Sequence, residues 1–358
     1  MSDVSSETTV NPARKLNSRL AARAIKHLGL RYVSTDTLTI RRRRQGATFT
    51  YQTKSGRTVR DKMVRARLKR LAVPPAYEEV LYAADARAHI QAIGRDAAGR
   101  LQYRYHSDWE KVREQRKAKR LERLVEALPR IRRAVGKHLG TAEPTREFAL
   151  SAVIELITWT AIRPGSESYA KANGTRGAAT MLKSNIDVEG AAITLKFRAK
   201  GGKDVHKEFR CPRVAAAIGV LRKLPGRRMF QYRGEDGAAH IVTATDVNAF
   251  LREIAGVKIS LKDIRTLSAS AAALEALARI EPATSERGRR RQVRDACEEV
   301  SQHLSNTPTI CRKSYVHETV VAAFESGALR RVAEKLKKSR SLVLREQLLA
   351  KVVASVAG

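Results

Sequence analysis

The chain has 358 residues, enough for about two domains, and 43% of them are hydrophobic, enough for a real core. Seventy Lys and Arg against 36 Asp and Glu leave a formal charge of +34. Such self-repulsion brings nothing to folding, so it implies a polyanionic partner, with nucleic acid ahead of an anionic membrane surface. The absence of a long uncharged apolar run argues against a transmembrane helix, and Met1-Ser2-Asp3-Val4 does not open a secretory signal. Cys211, Cys297 and Cys311 are widely spaced with no C-x-x-C, which points away from zinc fingers and disulfide frameworks and towards a reduced, cytoplasmic protein. There is no G-x-x-x-x-G-K-[ST] and no close-spaced ligand set for a metal. Any phosphodiester chemistry is therefore expected to proceed without ATP, metal or other cofactor.

Residues 1–24 are polar and mixed, and are expected to form a flexible tail. Strand patterns cover 37–44 and 48–51 around Gly46. The basic run 41–44 reads as a solvated face or a localisation signal. A helix is expected over 61–71, stopped by Pro74-Pro75, followed by strands near 79–82, 89–94 and 102–105. In the last of these, Gln102 and Arg104 face one way and Tyr103 and Tyr105 the other. Such a glutamine can read base edges and such tyrosines can touch phosphate or sugar, or simply pack in the core. This first unit, 25–107, is a small basic sheet domain expected to bind nucleic acid.

A long basic helix is expected over 108–137, joining two lobes in a shape suited to closing as a clamp around a duplex. Residues from 147 onward read as mainly helical, beginning with an amphipathic helix marked by Phe148, Val153, Leu156 and Ile157. The exception is three strands at 185–188, 192–199 and 205–211, with turns at Glu189-Gly190 and Gly201-Gly202. From Val320 an amphipathic helix or helix pair ends the chain. The fold class is therefore α+β: a small sheet-containing domain, then a larger, mainly α-helical domain, 108–358, with a three-stranded sheet.

Four segments carry chemistry. Arg163 ends an apolar helix before Pro164-Gly165, on a fixed backbone. Lys200 projects from the tip of a hairpin on its polar face. Ser260-Leu261-Lys262-Asp263 has the form of a helix start, which places Arg265 in the first turns. Thr307 can cap a helix with Pro308 in its first position, leaving Tyr315 two turns in and Asn306 just outside. Each of these residues also has an ordinary reading: a dipole-balancing arginine, a basic turn, a surface arginine and a packed tyrosine.

Taken together, and in this order, they resemble the type IB DNA topoisomerases, specifically the small poxvirus-type branch also found in bacteria. The resemblance runs over about 30–330. It includes Pro74-Pro75-Ala76, Gln91-Ala92-Ile93-Gly94-Arg95-Asp96, Gly99-Arg100-Leu101-Gln102-Tyr103, Ile162-Arg163, Lys262-Asp263-Ile264-Arg265-Thr266 and the stretch from Asn306 to Tyr315. It implies that Tyr315 is a nucleophile forming a 3′-phosphotyrosyl link in double-stranded DNA. Arg163, Arg265 and Asn306 would then hold nonbridging oxygens, and Lys200 would be the general acid. A phenol ionises near pH ~10 and needs neighbouring cations to react at neutral pH, which the two arginines would supply.

The same resemblance makes Arg95, Arg100, Gln102, Tyr103, Tyr105 and Lys262 candidate DNA contacts. It implies relaxation of supercoils without ATP or metal by a monomer with no obligate protein partner and no membrane association, nucleoid-associated in a bacterium. Many relatives, and the tyrosine recombinases, carry histidine where this chain has Asn306. His303 is a conceivable substitute, but the Thr-Pro-Thr-Ile register favours Asn306. Tyrosine recombinases usually show His-x-x-Arg where this chain has Lys262-Asp263-Ile264-Arg265.

Overall fold

Leu38 and Ile40 point inward from β1 (Leu38–Gln45) and seed a five-stranded antiparallel sheet. It adds β2 (Thr48–Gln52), β3 (Glu78–Ala83), β4 (Ile90–Arg95) and β5 (Leu101–Tyr105), in the order β2-β1-β3-β4-β5. The structure, a computed structural model, describes residues 25–337 and 342–357; the expected tail, 1–24, lies outside the described residues. Helix α1 (Lys62–Arg70) is capped by Asp61 and buries Leu68 against Ile40, Tyr51, Val80 and Tyr82.

Within the basic run of β1, Arg42 is not a free surface charge. Its guanidinium donates to the carbonyls of Val73 (3.0 Å), Pro74 (3.0 Å) and Tyr77 (2.6 Å) and stacks on Phe49. It thereby satisfies a Pro-Pro turn that has few donors of its own. Arg41, Arg43 and Arg44 are exposed.

Helix α2 (Ser107–Leu139) is longer than expected and runs past Pro129. Trp109 and Val112 pack with Ile25 and Leu30, whereas Leu121, Leu124, Leu128, Ile131 and Val135 recur at helical spacing in the main core. The chain divides into two compact units within this helix, after Arg116.

The second unit is built around α3 (Arg146–Thr160). Expected to be amphipathic, this helix is buried on nearly all sides, from Phe148 to Ile157. Its apolar residues do not form one stripe because α5 (Pro212–Arg222), α6 (Ala244–Ala255) and α7 (Leu261–Ala278) all pack against it, after the short α4 (Glu167–Asn173). The three-stranded sheet is antiparallel: β6 (Ile186–Glu189), β7 (Ala192–Ala199) and β8 (Lys203–Arg210). A small hairpin, β9 (Gln231–Arg233) with β10 (Ala239–Ile241), was not anticipated, since three-residue strands leave little periodicity to read.

Helices α8 (Glu286–Leu304), α9 (Pro308–Ser314), α10 (Glu318–Glu325), α11 (Arg330–Lys337) and α12 (Leu342–Ala357) complete the unit. Thus, among the described residues, the stretch from 318 onward forms three helices where one or two were expected. Ion pairs Arg132–Glu346 (2.5 Å) and Arg345–Glu275 (3.1 Å) tie α12 to α2 and α7. No helix among the described residues is long and apolar enough to cross a membrane.

Candidate active site

The segment carrying Arg163 is held by its neighbours. Helix α3 stops at Thr160 and Ala161 caps it in the left-handed conformation (φ 51°). Arg163 stands two residues past that cap, not at the helix end as expected. Its carbonyl accepts from Ala178 N (2.8 Å), and that of Pro164 accepts from Ala179 N (2.8 Å). A Cβ at Gly177 would lie 2.5 Å from both the Arg163 carbonyl oxygen and the Gly165 nitrogen, so only glycine permits this approach.

Helix α7 starts with the capping box read from the sequence: the Asp263 carboxylate accepts from Ser260 N (2.8 Å) and Oγ (2.7 Å). One turn later Arg265 is not a surface residue but 1% exposed. Its guanidinium donates to the carbonyls of Ala161 and Leu304, the latter at 3.4 Å, and lies 5.0 Å from the Tyr315 ring centroid. Burial pulls its pKa down while Tyr315 opposes that shift. Arg163 donates to the Ser305 carbonyl (3.4 Å) and to the Asn306 side-chain oxygen.

Helix α8 ends at Leu304, with Ser305 left-handed (φ 51°). Thr307 caps α9 by accepting from Ile310 N, and Pro308 opens it. Asn306, only 8% exposed, is held through its backbone by Ser301 O (2.9 Å). Its Nδ2 and the Nε of Arg265 are buried with no hydrogen-bond partner among the described residues. Tyr315 is half-buried at the C-cap of α9. Ser270, on the same helix as Arg265, donates to the Tyr315 carbonyl (2.9 Å) and accepts from His317 N (3.1 Å). The backbone of Tyr315 is therefore tied to the helix that supplies Arg265.

Arg163, Arg265, Asn306 and Tyr315, up to 152 positions apart in sequence, thus share one cluster. Lys200 does not join them directly. It is exposed at the β7–β8 turn, with Nζ 4.5 Å from the centroid of the Tyr169 ring on α4. Lys262 is exposed on the first turn of α7. His303 is not a cation here: burial, with Lys207 and Arg265 nearby, pushes its pKa down to about 4, and its ring nitrogen meets Ser268 Oγ at 3.2 Å. No group of three or more His, Cys, Asp or Glu among the described residues is placed to hold a metal ion.

In the first unit, Tyr103 stacks on Tyr105 and both pack on the sheet core. Arg95 pairs with Glu79 (2.8 Å), and Arg100 with Asp96 (2.8 Å). The Asp96 carboxylate also accepts from Gln102 (2.9 Å), and Arg100 chiefly lowers its pKa, to about 2.

Sequence reading overlooked Tyr169, Ser270 and Lys207. For Lys207 a signal existed: it falls between Val205 and Phe209 on the face of β8 that period two turns inward, while 204, 206 and 208 are exposed.

A five-stranded sheet unit followed by a helical unit that clusters two arginines, an asparagine and a tyrosine defines a candidate phosphodiester-handling protein. Comparison with known proteins gives the class. Residues 106–342 match the family model of the eukaryotic DNA topoisomerase I catalytic core, and 48–96 match that of the bacterial DNA topoisomerase IB N-terminal domain. The chain is 28% identical over 268 residues to DNA topoisomerase 1B of Acanthamoeba polyphaga mimivirus, covering 73% of this chain and 80% of the relative. A partial likeness extends to a XerH site-specific recombinase bound to its difH substrate, at 12% identity and a TM-score of 0.33, covering 57% of this chain and 52% of that one; it is too loose to bear on the fold. The chain belongs to the type IB DNA topoisomerase family. It is an isomerase that binds DNA and changes its topology through transient strand cleavage.

Proposed function

We propose that this topoisomerase relaxes supercoiled duplex DNA through a 3′-phosphotyrosyl intermediate, without ATP or a metal ion. The Oη of Tyr315 passes its proton to solvent as it attacks a backbone phosphorus, the O–P bond forms as the P–O5′ bond breaks, and a 5′-hydroxyl leaves. Arg163 and Arg265 bind the nonbridging oxygens, where negative charge grows in the transition state. Asn306 donates one uncharged hydrogen bond to the same phosphoryl group. Lys200, on its four-carbon stem at the hairpin tip, protonates the departing oxygen. The bond energy is kept as a phosphodiester, so reversal of the attack reseals the strand with no external energy source. Rotation of the duplex while the strand is open removes supercoils.

The observation that carries this reading is the stacking of Arg265 over the Tyr315 ring beside Asn306, with the buried Nδ2 of Asn306 and Nε of Arg265 lacking protein partners. Buried donors without acceptors are costly unless an anion visits them. Residues 25–107 serve as the DNA-binding domain, with Arg95, Arg100, Gln102, Tyr103 and Tyr105 as contacts joined by Lys262, and 108–358 as the catalytic domain. The enzyme acts as a monomer, without an obligate protein partner, in the cytoplasm and on the nucleoid of a bacterial host.

The test is a plasmid-relaxation assay without ATP, run with and without chelator, beside Tyr315→Phe. Relaxation should persist in chelator. The phenylalanine variant should bind DNA within about twofold of wild type yet form no denaturant-resistant adduct. An adduct from Tyr315→Phe removes the assignment.

A further inference from the structure

Three consecutive carbonyls at the C-terminus of α8 each receive a cation from a different segment. His303 O accepts from Lys207 Nζ of β8 (2.5 Å), Leu304 O from Arg265 of α7 (3.4 Å), and Ser305 O from Arg163 after α3 (3.4 Å). These carbonyls lie at the negative end of the helix dipole, and the turn they form leads straight into Asn306. Among the described residues no carboxylate lies within ion-pair distance of Lys207, Arg163 or Arg265. A largely buried ammonium beside a buried guanidinium is an expensive arrangement that an apolar side chain between Val205 and Phe209 would avoid.

From this convergence we infer that Lys207 is a positioning residue of the transesterification site: it fixes the last turn of α8 so that Asn306, Arg163 and Arg265 present one phosphate-binding surface. The inference rests on the reading of the site given above. The geometry explains why the lysine must carry charge. Arg265 and Arg163 are held here by carbonyls rather than by carboxylates, so each can pass to a phosphoryl oxygen without separating an ion pair. The turn offering those carbonyls then loses two of its three cations. Lys207, which contacts the carbonyl farthest from Asn306, is the one that stays and keeps the turn from unwinding. Its charge also adds to the positive field on the phosphate.

The groups facing Lys207 are Arg265 on α7 and the neutral His303 on α8; His206 and Glu208 pair with each other on the opposite face of β8. Burial, assisted by Arg265, pushes the Lys207 pKa down to about 8. The ammonium is present below about pH 8 and is lost above it, so cleavage by free enzyme should fall on the alkaline side. The general-acid role of Lys200 is taken out of the measurement by a substrate with a 5′-bridging sulfur, because a thiolate leaves without protonation.

The experiment measures single-turnover cleavage of that phosphorothiolate duplex at subsaturating enzyme from pH 6 to 10, with DNA affinity measured in parallel. Wild type should show an alkaline limb near pH 8. Lys207→Met should cleave about tenfold or more slowly at pH 7, with affinity within about threefold and no limb. Lys207→Arg should recover rate at pH 7 and push the limb beyond the range. A Met variant with wild-type rate and profile overturns the inference. If the Met variant does not fold, an Arg variant that keeps the limb near pH 8 overturns it equally. Absence of any adduct from wild type on ordinary and sulfur-bridged DNA instead overturns the underlying reading of the site.

Discussion

The two units hold their cations in different ways. In the first, Arg95 and Arg100 are exposed and each is paired with a carboxylate, Glu79 and Asp96. In the second, Arg163, Arg265 and Lys207 rest on main-chain carbonyls of one helix end. A carboxylate-paired arginine is already neutralised, and meeting a phosphate means exchanging one anion for another, with a small net gain that salt erodes. A carbonyl-held arginine keeps its full charge and is pre-oriented where water cannot screen it. The first arrangement suits reversible contact along a duplex, the second suits stabilising a charge that appears during reaction.

The sharpest way to break this contrast is to remove one cation from each set. Arg265→Ala should lower single-turnover cleavage about 10²–10³-fold or more, the range for one preorganised donor at developing charge. Arg265→Lys should recover little, since one ammonium cannot span Ala161 O, Leu304 O and the Tyr315 ring at once. Arg95→Ala should change affinity only a few-fold and leave the cleavage rate of bound DNA unaltered. Rapid-quench kinetics beside a binding titration measures both. Equal rate losses in the two variants would erase the distinction.

Lys200 sharpens the contrast within the second unit, because it alone of the proposed catalytic cations is exposed. Lys200→Ala should be slowed about 10²-fold or more on ordinary DNA and largely rescued on a 5′-bridging phosphorothiolate. Arg163→Ala should gain much less from sulfur, since nonbridging charge grows with either leaving group. Rescue of Lys203→Ala instead would put the acid on the other side of Gly201-Gly202.

A smaller effect separates the units by ionic strength. With ~6–10 phosphate contacts, log K against log[salt] should slope about −5 to −9 for wild type. Neutralising Arg95 or Arg100 should reduce the slope by less than about 1 each, because each already carries a carboxylate partner. A full unit per arginine would show that Glu79 and Asp96 are displaced and leave the interface.

Much of this was legible in sequence because local rules and tertiary structure agree. The Ser260–Asp263 box, the Thr307-Pro308 start and the β7–β8 hairpin stand where capping and period-two patterns put them. The candidate residues came from their order and the family resemblance, since nothing local marks Arg265 as buried. What stayed hidden is what packing from several sides decides. Phe148, Val153, Leu156 and Ile157 suggested one apolar stripe, and only the helices around α3 bury the remainder. Ser270 fixes Tyr315 through a backbone carbonyl, a contact with no sequence pattern. Arg163 was expected at a helix end because Pro164 and Gly165 are obvious breakers, but Ala161, with no such signature, ends the helix first.

The last difference concerns acid. In each unit burial pushes the pKa of a histidine down to about 4: the buried His89 in the first, stacked on Tyr32 and edge-on to Trp109, and the partly exposed His303 in the second. In the unfolded chain both titrate near pH ~6.5, so between those values the unfolded state binds more protons than the folded one. The stability these groups confer is complete above pH ~6.5 and is lost as pH falls towards 4. At full linkage such a change is worth about 3 kcal/mol, and less for the partly exposed His303. The causes differ. His89 is shifted by burial alone against a backbone hydrogen bond that works the other way, whereas His303 is also repelled by Lys207 and Arg265. High salt should therefore leave the His89 effect unchanged and soften that of His303. Urea unfolding at pH 7 and pH 4.5, in low and high salt, with His89→Gln and His303→Gln, measures this. A pH dependence flattened by neither substitution would place the acid sensitivity elsewhere. One flattened by His303→Gln alone would mean that His89 already opens with its sheet before the rest unfolds.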